Sequence, residues 1–256
     1  MRRNTSILVA ILLCVIFCLP ITTYAATYPL GGTDMSIFVD DTVWYVFTRD
    51  NIKDNAELDE LGLTYQTIYD ILYDNEAYMD AILFYEDGGF VELFVRKKAL
   101  DTGVANLSNY SNSEVLDLAK ELAKKYDADQ YSVHESSYKF AKLEYFDPNC
   151  NYYICEYVTI VNKDNYTLTF QSVSPYTQAE YEQIQEIVDS VKFDVDPSIK
   201  EKKTTSTADT VIYKAIGGAV SGAVGGAVIA LINQKKKKRR DSDSNPDSAA
   251  DNIPFN

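Results

Sequence analysis

The chain has 256 residues, with 24 Lys and Arg against 38 Asp and Glu and a formal net charge of −14. Acidity on this scale disfavours nucleic acid and anionic lipid as partners and suits cations or basic proteins. A single histidine, His134, leaves no His-rich zinc site. Neither Gly-x-Ser-x-Gly nor His-Glu-x-x-His occurs, so no hydrolase triad or zinc-protease helix is spelled out.

The first segment places Met1, Arg2 and Arg3 before an apolar run from Ile7 to Leu19, followed by Pro20 and small residues at Ala25 and Ala26. That order of charge, apolar stretch and small residues reads as a signal peptide over 1–25, too short in its apolar part to span a bilayer comfortably. Acylation at Cys18 is the rival reading, and Phe17 stands where a lipidation site wants a small residue. One α+β domain is expected over 28–196, a length that suits a single core. From Ala26 to Thr210 there are 34 Asp and Glu against 15 Lys and Arg, a net of −19, so this part is more acidic than the whole.

Within it, short strands are expected over 36–39 and 43–47, with Val43, Tyr45 and Phe47 on one face. An acidic loop follows. Asp50, Asp54, Glu57, Asp59 and Glu60 crowd it, beside Asn51 and Asn55. Hard cations such as Ca²⁺ take six to eight oxygens from such loops, so these five are weak metal candidates. No regular Asp-x-Asp-x-Asp-Gly loop is present, and a solvated acidic loop is the simpler reading. A helix near Tyr65 to Asn75 places Ile68, Ile71 and Leu72 on one stripe. Strands 78–85 and 90–95 flank Asp87-Gly88-Gly89, a hairpin turn.

Ser111 with Glu114 forms a capping box, after which Val115, Leu118, Ala119, Leu122 and Tyr126 recur at helical spacing. Strands 138–145, 152–161 and 166–173 follow, the last two joined through Asn162-Lys163-Asp164-Asn165. Thr177 with Glu180 repeats the capping box and opens a helix with the stripe Tyr181, Ile184, Ile187, Val188 and Val191. Consecutive hairpins and one-sided helices define an α+β fold: a mainly antiparallel sheet sandwiched by helices.

Cys14 and Cys18 leave with the signal peptide, and Cys150 and Cys155 remain where oxidation is permitted. Their odd separation puts them on opposite faces of one straight strand, so a bridge requires Pro148 to Asn151 to fold back; two separate thiols are expected otherwise. His134 reads as a polar residue near a strand start. The chain carries 20 Tyr, and the alternation Tyr153, Cys155, Tyr157 suggests an exposed or half-buried face that could bind a partner. Asn106, Asn109 and Asn165 begin Asn-x-Ser/Thr triplets, glycan acceptors only in a eukaryotic secretory route.

A polar linker over 197–210 leads to a second apolar run, 211–232, close to the roughly 20 residues that cross a hydrocarbon core. Lys235 to Lys238 with Arg239 and Arg240 follow at once, which places 233–256 on the cytoplasmic side and the domain outside: a single-pass, type I cell-membrane protein. Gly218, Gly222 and Gly226 recur every four residues in the apolar run, beside Gly217, Ser221 and Gly225. Such a glycine zipper lets two helices approach closely and supports a homo-oligomer through the membrane.

Three segments carry a family resemblance: Val39-Asp40-Asp41-Thr42-Val43-Trp44-Tyr45-Val46-Phe47-Thr48-Arg49-Asp50, Leu61-Gly62-Leu63-Thr64 leading a helix, and Ile187-Val188-Asp189-Ser190-Val191-Lys192-Phe193. Over about residues 33 to 195 the chain resembles the PsbP-like domains, which include an extrinsic photosystem II subunit, a Ran-binding eukaryotic relative and membrane-anchored bacterial proteins. The resemblance implies an antiparallel sheet between helices and a binding or assembly role, with no catalytic residues and no cofactor. The expected function is a non-enzymatic, membrane-tethered binding or assembly module working with another protein; the alternative is a cation- or small-ligand-sensing ectodomain that signals through its helix.

Overall fold

The computed structural model describes residues 26–100, 104–196 and 198–199. The expected signal peptide, the linker from 200 on, the transmembrane helix with Gly218, Gly222 and Gly226, and the basic tail lie outside these residues. Among the described residues no helix is long and apolar enough to cross a membrane.

In chain order the strands are β1 (Ala26–Pro29), β2 (Met35–Val39), β3 (Tyr45–Thr48), β4 (Ala77–Phe84), β5 (Phe90–Ala99), β6 (Gln130–Glu135), β7 (Lys139–Asp147), β8 (Tyr152–Val161), β9 (Asp164–Ser172) and β10 (Lys192–Phe193). The helices are α1 (Glu57–Leu61), α2 (Tyr65–Asp74), α3 (Asn112–Tyr126) and α4 (Gln178–Asp189), with short 3-10 turns at Ile52–Asp54 and Leu107–Asn109. Seven strands form one antiparallel sheet in the order β3-β4-β5-β9-β8-β7-β6, and β1-β2-β10 form a smaller one.

Local chemistry sets the helix starts. The Ser111 side chain accepts from the Glu114 N–H while Glu114 Oε2 accepts from the Ser111 N–H at 2.7 Å, and Thr177 with Glu180 does the same at the start of α4. Two orphan N–H groups are satisfied at each start. Thr64 caps α2 through the Thr67 N–H, 3.2 Å away. The β8–β9 turn is tighter than the four residues expected: only Asn162 (φ 53°) and Lys163 (φ 67°) are left-handed, and Asp164 and Asn165 already pair in the strand. Both central residues at positive φ make a turn whose twist matches the strands it joins.

Each helix lays one apolar stripe on the sheet. On one face Ile184, Ile187, Val188 and Val191 of α4, with Ile37 and Val39 of the small sheet, pack on Leu93, Val95, Tyr157, Leu168 and Phe170. On the other, α2 brings Ile68, Ile71 and Leu72 to Ile82, Phe90 and Phe94, while α3 brings Val115, Leu118 and Leu122 to Leu143, Ile154 and Val158. Two separate cores therefore share that second face.

Three expectations are corrected. Val43 lies outside β3 and is 49% exposed, because the N–H groups of Val43 and Trp44 close a turn onto the Asp40 carbonyl. Cys155 and Tyr157 are buried, not a partner-binding face, since α4 and the small sheet cover that side of β8. Asn165 is 1% exposed, its amide donating to Thr167 Oγ1, so it offers no glycan site in the folded domain.

Candidate functional site

The acidic loop does not gather its carboxylates. Asp50 accepts the Gly31 N–H at 2.8 Å, Glu57 accepts the Val46 N–H at 3.1 Å, and Glu60 accepts the Tyr45 hydroxyl at 3.0 Å, while Asp54 and Asp59 stand in solvent. A Cβ at Gly31 would lie 2.3 Å from Asp50 Oδ2, so a larger residue there would displace that carboxylate from the Gly31 N–H. Three of the five weak metal candidates fasten the loop to the sheets. Among the described residues no group of three or more His, Cys, Asp or Glu could share a metal ion.

His134 sits within β6, not at a strand start, and its Nε2 lies 2.7 Å from Asp189 Oδ1, tying the edge strand to the end of α4. Cys150 and Cys155 are separate free thiols, and burial pushes Cys155 up to about 12, so it is inert at neutral pH.

The feature that sequence reasoning missed is a polar seam on the face that α2 and α3 share. The contacts of α2 fall mainly on β4, and those of α3 on β6 and β7. Between these footprints the same face carries Asp80, Glu92, Arg96, Glu156, Thr167, Thr169 and Gln171, all buried. Cross-strand register lines them up: Glu92 faces Gln171, Arg96 faces Thr167, and Glu156 faces Thr169.

The seam is only partly bonded. Thr169 Oγ1 donates to Glu156 Oε1 at 3.2 Å, Gln171 Nε2 donates to Glu92, and Arg96 Nε donates to the carbonyl of Asn75, the C-cap of α2, at 3.1 Å. A guanidinium at that helix end is favoured by the helix dipole. Both oxygens of Asp80, Glu92 Oε1, Glu156 Oε2, Gln171 Oε1 and Arg96 Nη2 are buried without a hydrogen bond. Isolated buried charge is expensive, and the usual response is neutralisation. Burial drives Glu92 up to about 8 against the opposing pull of Gln171 and Arg96, and Glu156 to about 7 against Arg96. Asp80 is raised by burial and by Glu92, and burial lowers Arg96. Burial thus favours the protonated, neutral form of the seam carboxyls.

A second feature lies at the end of the sheet where β4, β7 and β9 finish and α4 begins. A cavity of about 490 Å³ is lined by Tyr85, Asp87, Phe90, Pro175, Ala179 and Glu180, among others. A smaller one of about 160 Å³ shares Pro175 and is walled by Tyr145, Phe146, Tyr153, Tyr176 and Tyr181. Tyr181 donates to Glu144 Oε2 at 2.5 Å and Tyr176 to the Tyr153 carbonyl at 3.0 Å, which fixes these rings. The tyrosines gather at a sheet end, not along a strand face. Loop residues between elements supply half the walls, so no periodic pattern announces them.

Compared with known proteins, the chain matches no family model and no curated protein sequence.

Proposed function

We propose that this chain is a non-enzymatic binding or assembly module held outside the membrane by residues 211–232, after removal of a signal peptide over 1–25. The observation that carries the reading is the open cavity of about 490 Å³ at the aromatic end of the sheet. Binding sites are concave, largely apolar and marked by a few fixed polar groups, which is its description. The resemblance to the PsbP-like domains points the same way, toward assembly with another protein.

The test is crosslinking of the full chain in its native membrane, beside a variant with Gly218, Gly222 and Gly226 replaced by Leu. A specific second protein, captured through the outer domain in both forms, is the expected result. Self-crosslinks alone, lost in the Leu variant, would instead make it a homo-oligomer built through its membrane segment.

The seam favours a second reading, an ectodomain that senses protons or small ligands. Proton titration of the full chain separates the two: uptake near neutral pH that is lost with Glu92→Gln and Glu156→Gln supports sensing, and uptake unchanged by the pair supports the module.

A further inference from the structure

We infer that the larger cavity receives a lysine or arginine side chain from an extended basic segment of the partner protein. The inference rests on the binding-module reading and names the chemistry of its partner. The cavity lies between the β4–β5 turn and the first turn of α4, with Phe90 and Ser172 also in its lining. Its apolar lining comes from Tyr85, Phe90, Pro175 and Ala179, and every charged residue lining it is an acid: Glu86, Asp87 and Glu180. A long aliphatic stem ending in a cation matches that division, stem against ring and head toward carboxylate.

The carboxylates are positioned before any ligand arrives. Asp87 Oδ1 takes the Gly89 N–H at 2.9 Å and Glu180 Oε2 takes the Thr177 N–H at 2.5 Å, which fixes both carboxylates and leaves lone pairs on them to accept from an ammonium or guanidinium. The Tyr85 hydroxyl, on the cavity wall, faces Glu180 and adds a polar group beside the carboxylates. Burial, Glu180 and Asp87 all hold that phenol protonated. An anion is disfavoured although a helix begins here, because Glu180 already occupies the N-terminal N–H group and the rim repels negative charge. The net charge of −19 over Ala26 to Thr210 steers basic partners in from a distance. The smaller cavity continues from Pro175 with exposed Phe146 and half-buried Tyr153, a track for the residues flanking the inserted side chain.

The experiment uses the full chain in detergent at about 0.15 M salt, where long-range attraction is screened. The probe is a capped peptide alternating Lys and Thr, with its Nε-acetylated form as control. Binding by the first alone is expected. The triple substitution Glu86→Gln, Asp87→Asn, Glu180→Gln should weaken it at least tenfold; the side-chain amide oxygen introduced at position 180 still accepts the capping N–H, so the fold survives. The triple Asp54→Asn, Asp59→Asn, Asp74→Asn removes equal charge elsewhere on the surface and should change affinity less than twofold. Equal loss in both triples, equal binding of the acetylated peptide, or competition by n-butylamine at peptide concentrations would each overturn the inference. A photo-crosslinker at Ala179 separates the two levels. A membrane partner that is captured there and survives the first triple overturns the basic-segment assignment alone. No captured protein at all removes the module reading too.

Discussion

The two faces of the seven-stranded sheet solve the same burial problem differently. The face under α4 and the small sheet is one continuous core in which Tyr157, Leu168 and Phe170 meet aliphatic partners. The face under α2 and α3 is two cores separated by Asp80, Glu92, Arg96 and Glu156. Hydrophobic burial explains the first completely. In the second it explains only the flanks, since buried ionic groups contribute less to stability than aliphatic residues of like volume often do. The continuous face holds the fold together, and the divided face carries groups kept for another reason.

Neighbouring residues of β9 give the sharpest break between the faces. Phe170→Ala empties the continuous core and should destabilise by about 3–5 kcal/mol. Thr169→Val, one residue away on the seam, removes the hydroxyl that Arg96 Nη1 and Glu156 Oε1 share and should cost about 1–3 kcal/mol. Urea unfolding followed through Trp44, the single tryptophan and buried, reads both. Equal costs would mean that the faces are not different in kind.

Next in size is a dependence on pH that only the divided face supplies. Glu92 and Glu156 are raised in the folded state above the ordinary carboxylate value, to about 8 and about 7. Between the ordinary value and these, the folded protein holds protons that the unfolded chain has released, so stability falls as pH rises through that window. Unfolding at pH 5 should be harder than at pH 8 by on the order of a few kcal/mol. Glu114, lowered by Ser111, acts in the opposite sense, but below the window. Glu92→Gln with Glu156→Gln should make the profile shallower, with Asp80, also raised by burial, supplying what remains, whereas a slope unchanged by the pair would assign it to surface repulsion.

The sheet and its three long helices were legible because capping boxes, apolar stripes and hairpin turns are local. Three strands were not. β6 runs Gln130, Tyr131, Ser132, Val133, His134, Glu135 on an exposed edge, β1 ends in Pro29, and β10 has two residues, so none shows a buried period of two. The seam was hidden for the opposite reason. Glu92 between Val91 and Leu93, and Glu156 between Cys155 and Tyr157, alternate as solvent-facing residues do, and only coverage of both faces turns that alternation into buried charge. The cavity is assembled from a hairpin, a loop and a helix start far apart in sequence, and it too has no period.

Smaller still are the caps, one device used once on each face. Ser111→Ala at α3 and Thr177→Ala at α4 each lose a capping oxygen, worth about 1 kcal/mol. Local consequences should diverge. α3 covers a core of its own, so hydrogen exchange should accelerate within α3 alone, while α4 is braced by the small sheet and should exchange with the whole domain. Uniform exchange in both variants would make the two cores of the divided face a single cooperative unit.

The smallest effect calibrates the others, because it belongs to neither face. The turn between β8 and β9 places Lys163 at φ 67°, where glycine has no Cβ to strain. Lys163→Gly should stabilise by about 0.5 kcal/mol, less than the full left-handed penalty, since the more flexible unfolded chain offsets part of it. The gain should be the same in the wild-type background, with Phe170→Ala and with Thr169→Val, since turn strain couples to neither core. A gain that changed with the background would place the β8–β9 hairpin inside one face's packing and weaken the separation between them.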